Sequence, residues 1–162
     1  MGLLKPHARY RHGDGRGLMA GLSGPVVIVH QIEHVRRAID AAMLKHCPVT
    51  LLSAPDGAAT LGPAVFQRMV DAVVAEKSAP LSNVIAVVDC GSDSGHALKA
   101  LREGCRHLRI DADELVLAKL RDIAGDNGLI LSGDPLPVLD LADPANNDAA
   151  LHAWLTHSAA RH

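Results

Sequence analysis

Apolar and polar positions fall into two alternating kinds of block along this chain. Val26-Val27-Ile28-Val29 is an unbroken β-branched run, the signature of a strand covered on both faces. It feeds a stretch in which Ile32, Val35, Ile39, Ala42 and Met43 share one helical stripe, with Glu33, Arg36, Arg37, Asp40 and Lys45 opposite. Pro48 ends that helix, and Val49-Thr50-Leu51-Leu52 is the second strand. A loop from Ser53 to Gly62 follows. Pro63 suits the first turn of a helix, and Val65, Met69, Val70, Val73 and Val74 give that helix its buried face.

The same unit recurs. Val84-Ile85-Ala86-Val87-Val88 is the most apolar strand, and Ala97, Leu98, Leu101 and Cys105 mark the helix after it. His107 to Ile110 is a short strand. Asp111 and Glu114 have capping-box spacing ahead of a helix with Leu115, Leu120 and Ile123 inward. Leu129-Ile130-Leu131 is a fifth strand, and Val138 to Leu141 a short sixth at an edge or folded over the sheet. Asn147 caps a last helix that buries Leu151, Trp154 and Leu155.

Strands alternating with helices at this spacing imply right-handed crossovers and a mostly parallel sheet. The expected fold is α/β: a mostly parallel five-stranded sheet with helices on both faces, a flavodoxin-like or Rossmann-like three-layer sandwich. A complete eight-fold barrel needs more chain than 162 residues. A half-barrel fragment that must dimerise is the minority reading. Residues 1–24 stand apart. Their six glycines and Lys5, Arg9, Arg11 and Arg16 against Asp14 describe a flexible basic arm, leaving 25–162 as a single α/β domain.

Composition narrows the function classes. The net charge of −2 argues against a general affinity for nucleic-acid backbones. Tyr10, Phe66 and Trp154 are the only aromatic rings of these types, too few and too scattered to make a stacking platform. Mean hydropathy is slightly positive, but no apolar run approaches a membrane span. The N-terminus lacks the apolar core of a secretion signal, and Cys47, Cys90 and Cys105 have no paired spacing. A reduced, cytoplasmic setting is expected.

In parallel α/β sheets, ligands bind outside the carboxyl ends of the strands. That rule selects His30 after the first strand, Ser53, Asp56 and Gly57 after the second, Asp111 after the fourth and Ser132, Gly133 and Asp134 after the fifth. After the third comes the densest set, Asp89-Cys90-Gly91-Ser92-Asp93-Ser94-Gly95-His96. Its glycines permit close backbone approach, Ser92 and Ser94 add hydroxyls, and free amides at a helix start favour an anion. It is neither a Walker A loop nor a dinucleotide fingerprint. Cys90 is a candidate nucleophile because a helix N-terminus and His96 would lower its pKa. His30, Asp89 and His96 are acid–base candidates.

Val87-Val88-Asp89, Gly95 and Ala100-Leu101-Arg102 resemble the segment around the acceptor aspartate of phospho-accepting receiver domains. The first strand, however, ends in His30-Gln31 rather than an acidic pair, and no Lys closes the fifth, so no activity is carried over. His30-Gln31-Ile32-Glu33-His34 matches an inverted zinc-peptidase pattern, but its first His closes a strand, so the two imidazoles do not share a helical face and no metal site is assigned. No lysine closes a strand and there is no G-x-S-x-G elbow, which removes Schiff-base and α/β-hydrolase chemistry. Three readings stand: a domain binding a small anionic molecule at the strand ends, an enzyme using the same crevice, and a homodimeric interaction module. No cofactor is specified.

Overall fold

The computed structural model describes Leu22 and residues 24–126, 128–132 and 137–159. Six strands make one sheet: β1 (Val26–Val29), β2 (Val49–Ser53), β3 (Val84–Asp89), β4 (His107–Arg109), β5 (Leu129–Leu131) and β6 (Val138–Asp140). Every pairing is parallel, and the order is β5-β4-β3-β2-β1-β6. The helices are α1 (Ile32–Lys45), α2 (Gly57–Thr60), α3 (Pro63–Lys77), α4 (Ser94–Arg102), α5 (Glu114–Ala124) and α6 (Asp148–Ala159). Among the described residues no helix is long and apolar enough to cross a membrane.

The fold is therefore the parallel α/β class expected, with the short sixth segment joining the sheet beside β1. The helices are placed differently from the two-sided cover expected. β1 to β5 are laid down in one direction, so right-handed crossovers put the connecting helices on one face. The packing agrees. The larger apolar cluster joins Val27, Val29, Leu51 and Val88 to Val35, Ile39, Phe66, Val73, Ala97, Leu117, Leu120, Leu151 and Leu155 from all five long helices. The smaller cluster holds the alternate strand positions Val26, Ile28, Leu52, Val87, Leu131 and Val138, with Leu22, and no helix residue.

The connection from β5 to β6 constrains the sheet's shape. Seven Cα steps separate Leu131 from Val138, a reach of about 25 Å at full extension. In a flat sheet those two edge strands would stand about 24 Å apart, before the chain returns along the strand direction to start β6. The sheet is therefore rolled, edge strands toward each other. Leu131 of β5 and Val138 of β6 belong to one apolar cluster, with Val26, Ile28, Leu52 and Val87 of the strands between them.

Helix faces depart from the sequence expectation in phase. In α5 the cap is Asp113, accepting from the Val116 amide at 2.9 Å, and not Asp111, whose amide donates to the Gly91 carbonyl. Leu117, Leu120 and Ala124 are its buried stripe, while Leu115 and Ile123 are exposed. In α3, Phe66 is buried and Val65 exposed; in α1, Met43 lies at the solvent edge. The expected 53–62 loop contains the short α2. Most of the expected 1–24 arm lies outside the described residues. Of its two described members, Leu22 is buried in the smaller cluster and Gly24 is buried against Pro48.

Candidate functional site

Strand register assembles the rim. Val29 pairs with Ser53, Leu52 with Val87, Asp89 with Arg109, Arg109 with Leu131, and Ile28 with Asp140. His30, Ser53, Asp89, Arg109, Ser132 and Asp140 therefore all close or follow strands at the same end of the sheet. Alternation along the strands puts Asp89 and Arg109 on the face opposite the helices, in phase with Val87.

Over β2, β3 and β4 this rim is occupied by its own side chains. Asp89 is fully buried, and its Oδ1 accepts from the backbone amides of Asp56 and Gly91, each at 2.9 Å. Its Oδ2 accepts from Arg109 Nη1 at 3.3 Å, in an ion pair that is also almost wholly buried. The Asp89 amide donates to Ser53 Oγ at 2.9 Å, and that hydroxyl donates to the Ala54 carbonyl. Gly57 sits so close that a Cβ would stand 2.4 Å from Ser53 Oγ, so only glycine fits. Gly91 has φ +59°, the left-handed turn that aims its amide back at Asp89. Ser53, Asp56, Gly57, Asp89 and Gly91 are thus brought together as a stitched network. Buried charges need such partners, and these lock two loops to three strands.

Cys90 points the other way, into the helix-covered core, where burial, with the charge of Asp89 next, pushes its thiol up to about 12. It is protonated at neutral pH, the reverse of the lowered pKa expected of a nucleophile. At the start of α4 the cap is Asp93. Its Oδ1 accepts from the amides of Gly95 (2.7 Å) and His96 (3.4 Å). The donors expected to receive an anion are thereby engaged by the chain's own carboxylate. His96 lies 3.8 Å from Asp93 Oδ2, and Ser92 and Ser94 are exposed. Ser132 is half-buried just beyond β5, and Gly133 and Asp134 lie outside the described residues.

The β1–β6 side is different. His30 Nε2 lies 2.7 Å from Asp140 Oδ1, and the two side chains are 32% and 37% exposed. The Ala142 amide also donates to Asp140 Oδ1 (2.8 Å), and Asn146 Nδ2 donates to the Asp140 carbonyl (2.8 Å), fixing the turn that presents the carboxylate. Burial opposes the charge of Asp140. The bonds from His30 and Ala142, with the positive potential of both histidines, outweigh it and hold the carboxyl below its ordinary value. The His30 amide donates to His34 Nδ1 at 3.3 Å, and the two rings meet edge to face, 5.9 Å between centroids. Burial, then the neighbouring His30 and Arg37, lower the pKa of His34, which agrees with an Nδ1 free to accept.

One turn beyond His34, Arg37 donates to Asp148 (2.9 Å) and to the Asn146 carbonyl (3.2 Å). With Leu141, Asp143 and Asn147 these residues line a hollow of about 350 Å³ that begins one residue past Asp140. A second hollow, of about 270 Å³ and lined by Met43, Cys47, Ala79 and Val84 among others, lies toward the opposite end of the sheet. Among the described residues no group of three or more His, Cys, Asp or Glu is arranged to hold a metal ion.

Arg109 and Asp140 were not selected from sequence. Arg109 carried a signal: a charged residue at an alternate position of an otherwise apolar strand must find a buried partner. Asp140 would have followed from extending the strand-end rule to the sixth strand.

No family model matches this chain, and no curated protein matches it. Among solved structures it is similar to a probable tagatose 6 phosphate kinase from Sinorhizobium meliloti 1021, at 16% identity and a TM-score of 0.53. The match covers 86% of this chain and 46% of that one, so this chain spans about half the length of its structural neighbour. Likeness at this identity is a likeness of fold, and it shows a parallel α/β domain.

Proposed function

We propose that this chain binds a small polar molecule at the carboxyl ends of its strands, on the β1–β6 side of the rim. The observation that carries this reading is the position of the His30–Asp140 pair. His30 and Asp140 stand side by side at the carboxyl ends of the neighbouring parallel strands β1 and β6, the end of the sheet at which parallel α/β domains bind ligands. The pair is part-exposed, and the hollow bounded by Arg37 and Asp148 adjoins it in the chain. The loops beginning at Ser53 and Asp89, selected by the same strand-end rule, spend polar groups on each other.

An anionic ligand remains the reading, because His30, His34 and Arg37 gather on one side of the rim. Phosphorylated sugars are the first class to screen, being anions of suitable size and the class named for the structural neighbour. A thermal-shift screen against sugar phosphates and small carboxylates tests the proposal. A specific ligand raises Tm saturably, by mass action on the native state. The gain disappears in His30→Ala and persists in Ser92→Ala. A shift lost in Ser92→Ala and kept in His30→Ala would move the site to the start of α4 and defeat this reading.

A further inference from the structure

We propose that His30 is an acid–base group, with Asp140 as its positioning residue, acting on a hydroxyl of a ligand or water at the rim; this deepens the binding reading above and takes the same seat. The argument is geometric. At 2.7 Å from a carboxylate oxygen, His30 Nε2 carries the proton of a neutral ring, and Nδ1 is left as the basic atom. Among the described residues no hydrogen bond engages Nδ1: the other polar contact of His30, to His34, is made by its backbone amide.

Asp140 is itself held by the Ala142 amide and by the turn that Asn146 braces, so the carboxylate is fixed before any ligand arrives. An imidazole whose far nitrogen is held by a rigid carboxylate keeps one tautomer and is compensated when it becomes charged. His30 follows β1 at the carboxyl end of the sheet, beside β6, and its side chain is open to solvent there. The charged and titratable neighbours are Asp140 from β6 and, from α1, His34 and, through it, Arg37.

The step is a proton transfer. A hydroxyl oxygen bonds to the carbonyl carbon of an ester as its proton passes to Nδ1, and the bond from that carbon to the leaving oxygen breaks with its electron pair. The imidazolium, balanced by Asp140, then gives that proton to the leaving group or to solvent.

The probe is p-nitrophenyl acetate with the full chain. Water attacks the ester carbonyl carbon, its proton goes to Nδ1, and p-nitrophenolate leaves with the bonding pair. Wild-type protein releases p-nitrophenolate at least tenfold faster than His30→Ala or His30→Gln, each confirmed folded by circular dichroism, while His157→Ala matches wild type. In Asp140→Asn the rate falls at least threefold. In ¹⁵N-histidine spectra the neutral His30 ring is protonated at Nε2 in wild type and becomes a tautomer mixture in that variant, which a merely structural role of Asp140 would not produce.

Equal rates in wild type and both His30 variants overturn the inference, as does a neutral His30 protonated at Nδ1. Ligand binding in the thermal screen together with a His30-independent rate overturns the inference alone. A His30-dependent rate without any ligand shift overturns the binding reading alone.

Discussion

The two halves of one rim put similar residues to opposite uses. Over β2–β4 an acid and a base, Asp89 and Arg109, are buried together, and the carboxylate also accepts from two backbone amides. Over β1 and β6 an acid and a base, Asp140 and His30, are paired at a shorter distance yet open to water. The first pair sits between neighbours on both sides, where the rolled sheet and the loops close over it. The second stands at the ends of β1 and β6, where its two side chains keep about a third of their surface in water. Burial, and not residue type, separates a structural ion pair from a chemically available one.

The largest expected effect breaks the buried half. Asp89→Ala removes a buried carboxylate from Arg109 and the acceptor used by the Asp56 and Gly91 amides, and should cost about 3–5 kcal/mol in chemical denaturation. Asp140→Asn, which alters a part-exposed pair, should cost less than about 1 kcal/mol by the same measurement. Similar losses in the two variants would erase the distinction between the halves.

Thiol labelling comes next. Iodoacetamide at neutral pH should leave Cys90 and Cys105 unmodified in the native protein, because burial pushes their thiols up to about 12 and about 11, and should label both once the chain is unfolded. Rapid native labelling of Cys90, read by mass spectrometry, would show that the helix-covered core beneath this half of the rim opens to solvent.

The smallest effect is a pH dependence. His34 is held below its ordinary 6.5 when folded, so the unfolded chain binds a proton there first. Stability present above about pH 6.5 is therefore lost as pH falls through the lowered folded value. Asp140, depressed below 3.8, adds a loss in the same direction at more acid pH. His34→Gln should flatten the first of these slopes and leave the second, as followed by denaturation midpoints from about pH 2 to pH 8. An unchanged slope would remove His34 from the coupled group on the open side.

Strands were legible because their signal is local. A strand inside a parallel sheet is apolar at consecutive positions, and Val26–Val29 and Leu129–Leu131 stand where the sequence places them. Helix faces were less legible. A stripe at helical spacing can be drawn through Leu115, Leu120 and Ile123 or through Leu117, Leu120 and Ala124, and only the packing against the sheet chooses the second. The rim itself was legible from the strand-end rule, and His30 with it.

Its internal division was not, because each pair joins distant parts of the chain. Asp89 meets Arg109 across twenty positions and His30 meets Asp140 across 110. By itself the sequence determined the parallel α/β class and the end of the sheet where polar groups collect, since both follow from periodicity within single βα units. The tertiary structure decided which polar groups are consumed and which remain open. That outcome depends on strand order and burial, which no local window of residues contains.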